Sequence, residues 1–501
     1  MPTQLYSGDP FFQGWRSKPY IFESEEAKAQ FKLITNSMRP KWIEWDLFYH
    51  IKRMAPSLGL NAAELEARSK YNPDMFRPHC RKWEEGQASE LAYDHELFSR
   101  AVASVNSKFS LLEKVKPIAY EEVPWKEDTN FGAPTFSNSR HDKFARDKAI
   151  AGAKAIARGK SPEPFVAYAR GKNEEEARIT LAEPKAMFIV GGRFFYPYFR
   201  ALKAVNSPYA GCAKRQSISA RVNELKWNSR FVLAADYSRY DSTIPQVLTS
   251  CAFKIIKNNF VMTKKEEALW ETYVAHFNTN GMLMPDGNIY YGRKGGVPSG
   301  AIFTSIIGSI VNAIIIEYCA LRGKMLVTDY LVLGDDSIIG LTQPTQVEAF
   351  TEYASELGII VSQEDSKLYV GDEKIYFLGH FWEDGCSRRD IKETIYRLCC
   401  PENIKPWNRA KFGSTEYCLG LFDKIKDYQN DNEWFWSLGN MIIDSFLVPE
   451  EPWLWGEITR RNFFYTNMVL DQRQQRDTGL KRLFGKPEDW EGSSLRLAAV
   501  Y

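Results

Sequence analysis

Two pairs of aspartates, in a fixed order, are the strongest candidates for chemistry in this chain. Asp236 and Asp241 follow a short apolar run, and Asp335 and Asp336 follow Gly334 between two further apolar runs. Adjacent carboxylates at the tip of a tight hairpin repel each other, which raises a pKa, and a cation between them relieves that repulsion. Their oxygen ligands suit Mg²⁺ or Mn²⁺. With Asp236 as a third ligand, the pattern predicts a two-ion site for in-line phosphoryl transfer.

Each aspartate has a predicted role. We expect Asp236 and Asp335 to bind metal directly and Asp336 to support them. Asp241 lies five residues after Asp236, beyond the end of the predicted strand, so it can face an incoming nucleotide. A carboxylate only accepts hydrogen bonds, which suits a ribose hydroxyl. An isolated Gly334-Asp-Asp would be read as a simple turn, but the order of the whole set disfavours that interpretation.

A glycine-rich segment, residues 295–300, precedes a long apolar stretch that is predicted to be a helix. Glycines let a loop approach another backbone closely. Thr304 and Asn312 are eight residues apart and therefore share one helix face, which we expect to contact sugar and template together with Ser299 and Gly300. Helix capping by Ser299 with back-bonding hydroxyls is the alternative. Ser299 lacks glycines two positions to either side, which disfavours a hydrolase nucleophile.

Two lysines complete the predicted site, although a single lysine is more often solvated. Lys185 could hold a triphosphate, and Lys367 could protonate or neutralise a leaving pyrophosphate. The formal net charge is only +2, but residues 185–230 contain nine Lys or Arg and one acid, and residues 140–160 contain seven basic and two acidic residues. Such clusters suit phosphate contacts, so we predict an electrostatic channel.

The elements that must position these residues can be outlined. Residues 231–235 read as a strand buried on both faces, and the runs around Gly-Asp-Asp as a hairpin. Helices are predicted from 245 to 277 and from 347 to 357. Residues 161–178 read as polar connecting sequence, and residues 185–192 as a strand and turn.

Several classes of protein are disfavoured. The eight cysteines form no CxxC pair or regular spacing, so neither a zinc site nor a disulfide framework is indicated. Residues 301–316 are uncharged but too short for a membrane span, and a buried helix is expected there.

The motifs together resemble those of viral RNA-dependent RNA polymerases, above all those of partitiviruses and picobirnaviruses, which have small segmented double-stranded RNA genomes. The clear matches span residues 180–382. In chain order, motifs A to E resemble Asp236-x4-Asp241, Ser299-Gly300-x3-Thr304 with Asn312, Gly334-Asp335-Asp336, Lys367, and Phe377-Leu-Gly379. Lys185 is similar to the motif F lysine, and Asn130, Gly132 and Pro134 resemble the motif G loop beside the template.

The resemblance implies an α+β fold: a closed right hand of fingers, palm and thumb, with an antiparallel palm sheet and many helices. The implied segments are an N-terminal extension linking fingers and thumb (1–110), fingers (111–228), palm with motif A (229–244), a fingers insertion (245–285), palm with motifs B to E (286–382), and thumb and C-terminal region (383–501). It implies two Mg²⁺ ions, or Mn²⁺, as cofactors, and template RNA, product RNA and NTPs as ligands. A viral capsid protein is an expected partner, no membrane is expected, and the location is the virion interior or the host cytoplasm.

The resemblance also implies that Asp241 and Asn312 help to sense the ribose 2′ hydroxyl. Two departures from the family pattern matter here. Gly308 stands where related polymerases commonly have Asn or Asp, so Gly308→Asn should preserve or raise sugar selectivity if the space is free. Met187 replaces the usual motif F arginine, and either Arg178 or Arg193 would supply the missing guanidinium.

Other functions remain open from the sequence. A reverse transcriptase would share the carboxylates but prefer deoxynucleotides. A catalytically silent RNA-binding or capsid-associated protein would not need three intact carboxylates. A terminal nucleotidyltransferase would not copy a defined template.

Overall fold

The computed structural model describes most of the first 399 residues. The described residues are 9–36, 45–54, 60–69, 76–86, 91–125, 130–137, 142–171, 177–213, 215–383 and 386–399. The chain divides into two compact units. The first unit contains Met1–Met38, Asn72–Leu378 and Trp382–Cys386, and the second contains Arg39–Tyr71, Gly379–Phe381 and Ser387–Tyr501.

The described residues form helices and strands whose bounds are as follows. The helices are α1 (Glu25–Asn36), α2 (Trp45–Met54), α3 (Ala62–Ser69), α4 (Phe76–Gly86), α5 (His95–Lys108), α6 (Ala145–Ile156), α7 (Lys185–Leu202), α8 (Arg215–Asn228), α9 (Tyr240–Thr243), α10 (Gln246–Lys257), α11 (Lys264–Thr279), α12 (Thr304–Gly323), α13 (Val347–Glu356) and α14 (Ile391–Cys399). The strands are β1 (Arg16–Pro19), β2 (Phe165–Gly171), β3 (Ala177–Ala182), β4 (Phe231–Tyr237), β5 (Met282–Leu283), β6 (Asn288–Tyr291), β7 (Val327–Leu333), β8 (Asp336–Leu341), β9 (Val361–Val370), β10 (Ile375–Phe377), β11 (His380–Glu383) and β12 (Cys386–Arg388).

A four-stranded antiparallel sheet in the first unit carries the predicted aspartates. Its strand order is β7-β8-β4-β9. The central strand β4 begins as an apolar run because both of its faces are covered. Val232 packs in a cluster with Leu225 of α8, whereas Tyr237 hydrogen-bonds to α12. The predicted buried strand ending at Asp236 is therefore confirmed.

The apolar helix α12 lies at the centre of this unit. Most of its residues are buried, and α5, α10 and α13 pack around it. Among the described helices, α12 is the one long and apolar enough to cross a membrane. Its most apolar 18-residue stretch has a mean hydropathy of 1.7, but 78% of that stretch is buried inside the fold. The predicted buried helix is thus confirmed, because the fold itself supplies its apolar surroundings.

A second sheet has the strand order β1-β6-β5-β2-β3 and is antiparallel except where β2 pairs with β5. The sequence reading of this region was wrong in two places. Residues 161–178, read as connecting sequence, include β2 and the start of β3. Residues 185–192, read as a strand and turn, open helix α7 instead, because a short apolar run has no periodicity that separates a strand from a buried helix.

In the second unit, the described residues include helices α2, α3 and α14. Helix α14 packs on α2. Lys52 of α2 forms an ion pair with Glu66 of α3, with 2.7 Å between nitrogen and oxygen. Most of the predicted thumb, from residue 400 onward, lies outside the described residues. The proposed segment boundaries therefore stay predictions.

Candidate active site

The Gly-Asp-Asp sequence forms the predicted hairpin between β7 and β8. Leu333 pairs with Asp336, which leaves Gly334 and Asp335 as a two-residue turn. Gly334 has a φ of +64°, a conformation that such turns require at their first position and that glycine adopts without strain. Asp335 is exposed at the tip. The turn therefore presents one carboxylate to solvent and starts β8 with the next.

Strand β4 brings the earlier aspartate alongside this hairpin. Ala235 lies opposite Ser337 in the antiparallel register, so one further residue on each strand places Asp236 opposite Asp336. Opposed antiparallel residues have Cβ atoms about 4.5–5.5 Å apart on the same face. The pairing of β4 with β9 is irregular between Ala234 and Asp236, and such bulges re-aim side chains beside functional sites.

Negative charge accumulates at these three aspartates. Burial, together with the charges of Asp335 and Asp236, raises the pKa of Asp336 to about 7. A divalent cation bound by oxygen ligands stabilises such a cluster. Within the described part of the chain, no three Asp, Glu, His or Cys side chains already converge on one ion position. The aspartates thus fit a cation by charge and ligand type, and their convergence on it stays a prediction.

Helix α12 holds the hairpin turn through polar side chains. Asn312 donates two hydrogen bonds, to the carbonyl oxygens of Gly334 at 3.0 Å and Asp335 at 3.1 Å. Ser309 accepts one from the Gly334 amide at 2.8 Å. Asn312 has 0% exposure. It was predicted to face the ribose, but the structure places it under the turn, because the strand–helix packing buries that face of α12.

Gly308 allows the hairpin to approach α12. A Cβ atom added at Gly308 would lie 3.4 Å from Gly334 Cα and 3.7 Å from Tyr240 Cε1. The Tyr240 hydroxyl also donates to the Gly308 carbonyl at 2.8 Å. One carbon would therefore fit at ordinary contact distance. A longer side chain would have to extend from that carbon past the Gly334 turn and the Tyr240 ring.

The glycine-rich loop is attached to the end of motif A. The Asp241 carbonyl accepts a hydrogen bond from Val297 at 2.7 Å, and the Ile244 carbonyl accepts one from Gly296 at 2.7 Å. Asp241 lies in the first turn of the short helix α9 and is exposed. Main-chain hydrogen bonds fix Asp241 beside the loop.

The other end of the loop contacts β3 and starts α12. The Ser299 hydroxyl accepts a hydrogen bond from the Leu181 amide at 3.3 Å, and Gly300 forms an isolated bridge with Ala182. The Thr304 hydroxyl donates to the Pro298 carbonyl. The predicted polar face of α12 therefore closes the loop through Thr304, while Ser299 and Gly300 remain exposed.

We expect Gly300→Ala to reduce nucleotide incorporation by about tenfold, since an overpacked site costs about 1–3 kcal/mol. The added Cβ would lie 2.2 Å from the Leu181 carbonyl oxygen. The loop must then shift away from β3, which its exposed outer side permits without unfolding. Incorporation rate and thermal midpoint, measured together, check this. An unchanged rate would show that the contact with β3 has no role in activity.

Lys367 lies on β9 opposite Ala234, near the end of β4. Its ammonium is 3.0 Å from a Glu373 carboxylate oxygen, and both side chains are about half exposed. The hydrogen bond with Glu373 raises the pKa of Lys367. An exposed ion pair is weak, so the ammonium can be released while it stays protonated.

Lys185 occupies a different environment from the predicted triphosphate contact. It is only 6% exposed, in the first turn of α7. Its ammonium lies 5.1 Å from the Trp125 ring centroid and 4.8 Å from that of Phe188. Nearby Glu183 has a pKa raised to about 8 by burial, which Lys185 partly opposes. The prediction that Lys185 binds nucleotide is not supported, because α7 buries its side chain.

Arg193 is also used inside the protein. Its Nε donates to the Ile118 carbonyl at 2.7 Å, and its guanidinium stacks on Tyr120 at 4.3 Å and lies 3.5 Å from Glu266. The prediction that Arg193 binds nucleotide is therefore not supported. The other candidate, Arg178, belongs to β3, but its side chain lies outside the described part of the structure.

We expect Arg193→Gln to lower the free energy of unfolding by about 1.5–3 kcal/mol, the range for hydrogen bonds to charged groups, without changing the KM for NTPs. Thermal or denaturant unfolding and steady-state kinetics measure the two effects. Arg200→Gln, an exposed position on the same helix, is the matched control. A large rise in KM at unchanged stability would return Arg193 to the nucleotide site.

The predicted motif G loop packs against the start of α7. Asn130 donates to the Phe136 carbonyl at 2.8 Å and accepts from the Gly132 amide at 2.7 Å. Gly132 has a φ of +73°, and the peptide bond before Pro134 is cis. The Asn130 side chain therefore shapes the loop, and the structure leaves a template contact untested.

Sequence reasoning missed three supporting residues. Tyr237 and Tyr240 are buried beneath the hairpin, and strand alternation signals the first, since Tyr237 must face away from Asp236. Trp83 of α4 is 2% exposed, and a Cβ added at Gly296 would lie 2.9 Å from its indole nitrogen. No local pattern connects residue 83 with this loop.

Known viral proteins are similar to this chain in sequence. A model of the viral RNA-dependent RNA polymerase family matches residues 67–398, more than half of the chain. The RNA-directed RNA polymerase of Cryptosporidium parvum virus 1 (strain KSU-1) is 28% identical over 230 residues, 42% of each chain. The genome polyprotein of Ljunganvirus 1 is 25% identical over 324 residues, 60% of this chain and 14% of the polyprotein. The matches thus span less than half the length of these curated relatives.

The fold of this chain is similar to the folds of solved viral polymerases. The RNA-dependent RNA polymerase of a human picobirnavirus superposes with a TM-score of 0.63 at 14% identity, covering 89% of each chain. Its insertion-loop deletion mutant gives 0.62 at 13% identity, over 90% of this chain and 92% of that one. The fold is therefore that of an α+β viral polymerase. The chain belongs to the viral RNA-dependent RNA polymerase family, which confirms the family and the fold class expected from the motifs.

Proposed function

We propose that this protein synthesises RNA on an RNA template by two-metal nucleotidyl transfer, and so replicates and transcribes a viral genome. The carrying observation is the register of β4 with β8, which aligns Asp236 with Asp336 beside the exposed Asp335. The family match covers this whole region. The same observation supports the choice of divalent cofactor, because the charge at these aspartates suits Mg²⁺ or Mn²⁺.

In this proposal, ions held by Asp236, Asp335 and Asp336 would supply charge stabilisation at the attacking and leaving oxygens of the in-line transfer. Lys367, protonated and only weakly paired, donates a proton to the leaving pyrophosphate. Asp241 accepts a hydrogen bond from the ribose 2′ hydroxyl, for which its exposure and its attachment to the glycine-rich loop are the support.

Ser299 and Gly300 contact sugar and template from that same loop. We assign the template path to the loop containing Asn130, Gly132 and Pro134. The ligands of the enzyme are accordingly template RNA, product RNA and NTPs.

The deciding experiment is nucleotide incorporation by the purified protein on a defined single-stranded RNA with Mg²⁺ or Mn²⁺. NTPs are compared with dNTPs. Template-length product from NTPs supports the proposal. Product from dNTPs instead identifies a reverse transcriptase, extension without template copying identifies a terminal transferase, and no product from either nucleotide contradicts catalysis by this chain alone.

We also propose that the protein binds a viral capsid protein and acts inside the virion or in the host cytoplasm. The family resemblance is the support for both proposals. Purified viral particles test them. Polymerase activity that co-sediments with intact particles supports both the partner and the location. Activity found only in a membrane fraction contradicts them.

A further inference from the structure

The catalytic turn is held at its backbone rather than at its carboxylate. The Gly334 amide, the Gly334 carbonyl and the Asp335 carbonyl each bond to a side chain of α12. A two-residue turn has few other groups to fix it, and the Asp335 side chain is exposed. The direction in which Asp335 projects therefore depends on these three bonds.

Asn312 supplies two of the three bonds, and its amide is fully used in doing so. A primary amide has two N–H donors, and both are spent on the turn carbonyls, at 3.0 and 3.1 Å. Its oxygen accepts a hydrogen bond from the Tyr237 hydroxyl at 2.9 Å. The Asn312 side chain is 0% exposed, so it offers no hydrogen-bond donor to a ribose in this structure.

The Tyr237 hydroxyl and the two turn carbonyls together determine which way the Asn312 amide points. The carbonyls only accept, so the amide nitrogen must face them, and the Tyr237 hydroxyl donates to the amide oxygen on the other side. A flipped amide would present its oxygen to both carbonyls and lose the hydrogen bond that its oxygen accepts from Tyr237. Tyr237 follows Asp236 on β4 and therefore faces the opposite side of the sheet. It is 5% exposed and is separated from the predicted nucleotide side by the strand itself.

We propose that Tyr237 and Asn312 form a positioning pair that fixes the Gly334–Asp335 turn, linking the strand of Asp236 to the hairpin of Asp335 through α12. The inference rests on the proposed function, since the turn is catalytic only if the protein is a polymerase. It gives Asn312 a role in turnover in place of the sugar selection implied by the resemblance. Neither residue touches the reacting atoms.

The two roles of Asn312 predict different kinetics. If Asn312 bound the ribose, Asn312→Asp would raise the KM for NTPs and reduce discrimination against dNTPs, and Tyr237→Phe would be nearly silent. If the pair positions the turn, both variants lower kcat and leave the NTP-to-dNTP ratio unchanged. Tyr237→Phe removes one hydroxyl only, whereas Asn312→Asp keeps the acceptor but replaces the two donors.

The experiment compares Tyr237→Phe, Asn312→Asp and the double variant with matched controls. Tyr198→Phe removes a buried hydroxyl that donates to the Phe109 carbonyl at 3.0 Å. Asn259→Asp removes a buried amide that also bonds two backbone carbonyls, those of Phe109 and Ile255. Tyr198 lies on α7 and Asn259 in the turn that follows α10. Each variant is assayed for kcat, KM and sugar ratio, and hydrogen exchange of a peptide covering residues 330–340 is measured without metal.

We expect Tyr237→Phe to lower kcat about fivefold, the factor that one hydrogen bond of about 1 kcal/mol carries, and Asn312→Asp to lower it more. The double variant should match Asn312→Asp, because the hydroxyl acts through the amide. Exchange in the hairpin peptide should rise in these variants but not in the controls. A changed sugar ratio, normal exchange, or equal losses in the controls would overturn the proposal. An inactive wild type would instead overturn the proposed function, while the exchange result would still test the pair.

Discussion

Asp335→Ala should reduce RNA synthesis by about 10³-fold or more, because it removes a charge that the two-metal reaction requires. Stability should not fall. Asp335 is exposed at the turn, and its charge contributes to the raised pKa of Asp336, so its removal relieves repulsion. Single-nucleotide incorporation, RNA binding and the thermal midpoint are measured on one preparation. We expect loss of the first only.

The chain provides a matched control for this variant. Gly371 and Asp372 form another Gly-Asp turn, with Gly371 at a φ of +62°, and Asp372 is exposed. Asp372→Ala removes the same side chain from the same kind of turn and should leave synthesis intact. Near-normal synthesis by Asp335→Ala, or equal losses in both variants, would contradict a catalytic role for Asp335.

Gly308→Asn should reduce synthesis by about 100-fold, near the upper end of the effect of 1–3 kcal/mol of overpacking. The new side chain would meet Gly334 Cα and the Tyr240 ring, which lie 3.4 and 3.7 Å from the position of its Cβ. The hairpin must then move away from α12. Rate and thermal midpoint are the measurements.

Gly308→Ala separates packing from backbone effects. Its single carbon stays at ordinary contact distance, and alanine improves helix propensity by about 1 kcal/mol, so stability should rise or hold and most synthesis should remain. If Gly308→Asn instead retained synthesis and sharpened the choice of NTPs over dNTPs, the position would be open to the ribose, as the motif resemblance implies for free space there.

The sheet that carries the aspartates was predictable from the sequence in part, because some of its signals are local. A buried run ending in Asp236, a glycine turn with two aspartates, and a long, mostly apolar helix each have one good structural interpretation. The pairing of β7 with β8 follows from the tight turn that joins them. The position of β4 between β8 and β9 does not, because these strands are distant in the sequence.

The surroundings of the other predicted residues were less predictable because their signals are not local. Lys185 was predicted to contact nucleotide from its sequence context, and the sequence does not reveal that its side chain is buried against Trp125. Asn312 has the residue type of a ribose sensor, but the face of a helix that meets the catalytic turn is set by tertiary packing. No spacing rule connects Trp83 with Gly296.

The close approach of Gly300 to β3 has a consequence for the gene that encodes it. Every single-base amino-acid replacement available to a glycine codon introduces a Cβ atom. At this position that atom would lie 2.2 Å from a main-chain oxygen, so all such replacements meet the same obstacle whatever their polarity. Among the changes of this codon that keep the chain full-length, only synonymous ones therefore leave the contact with β3 unaltered.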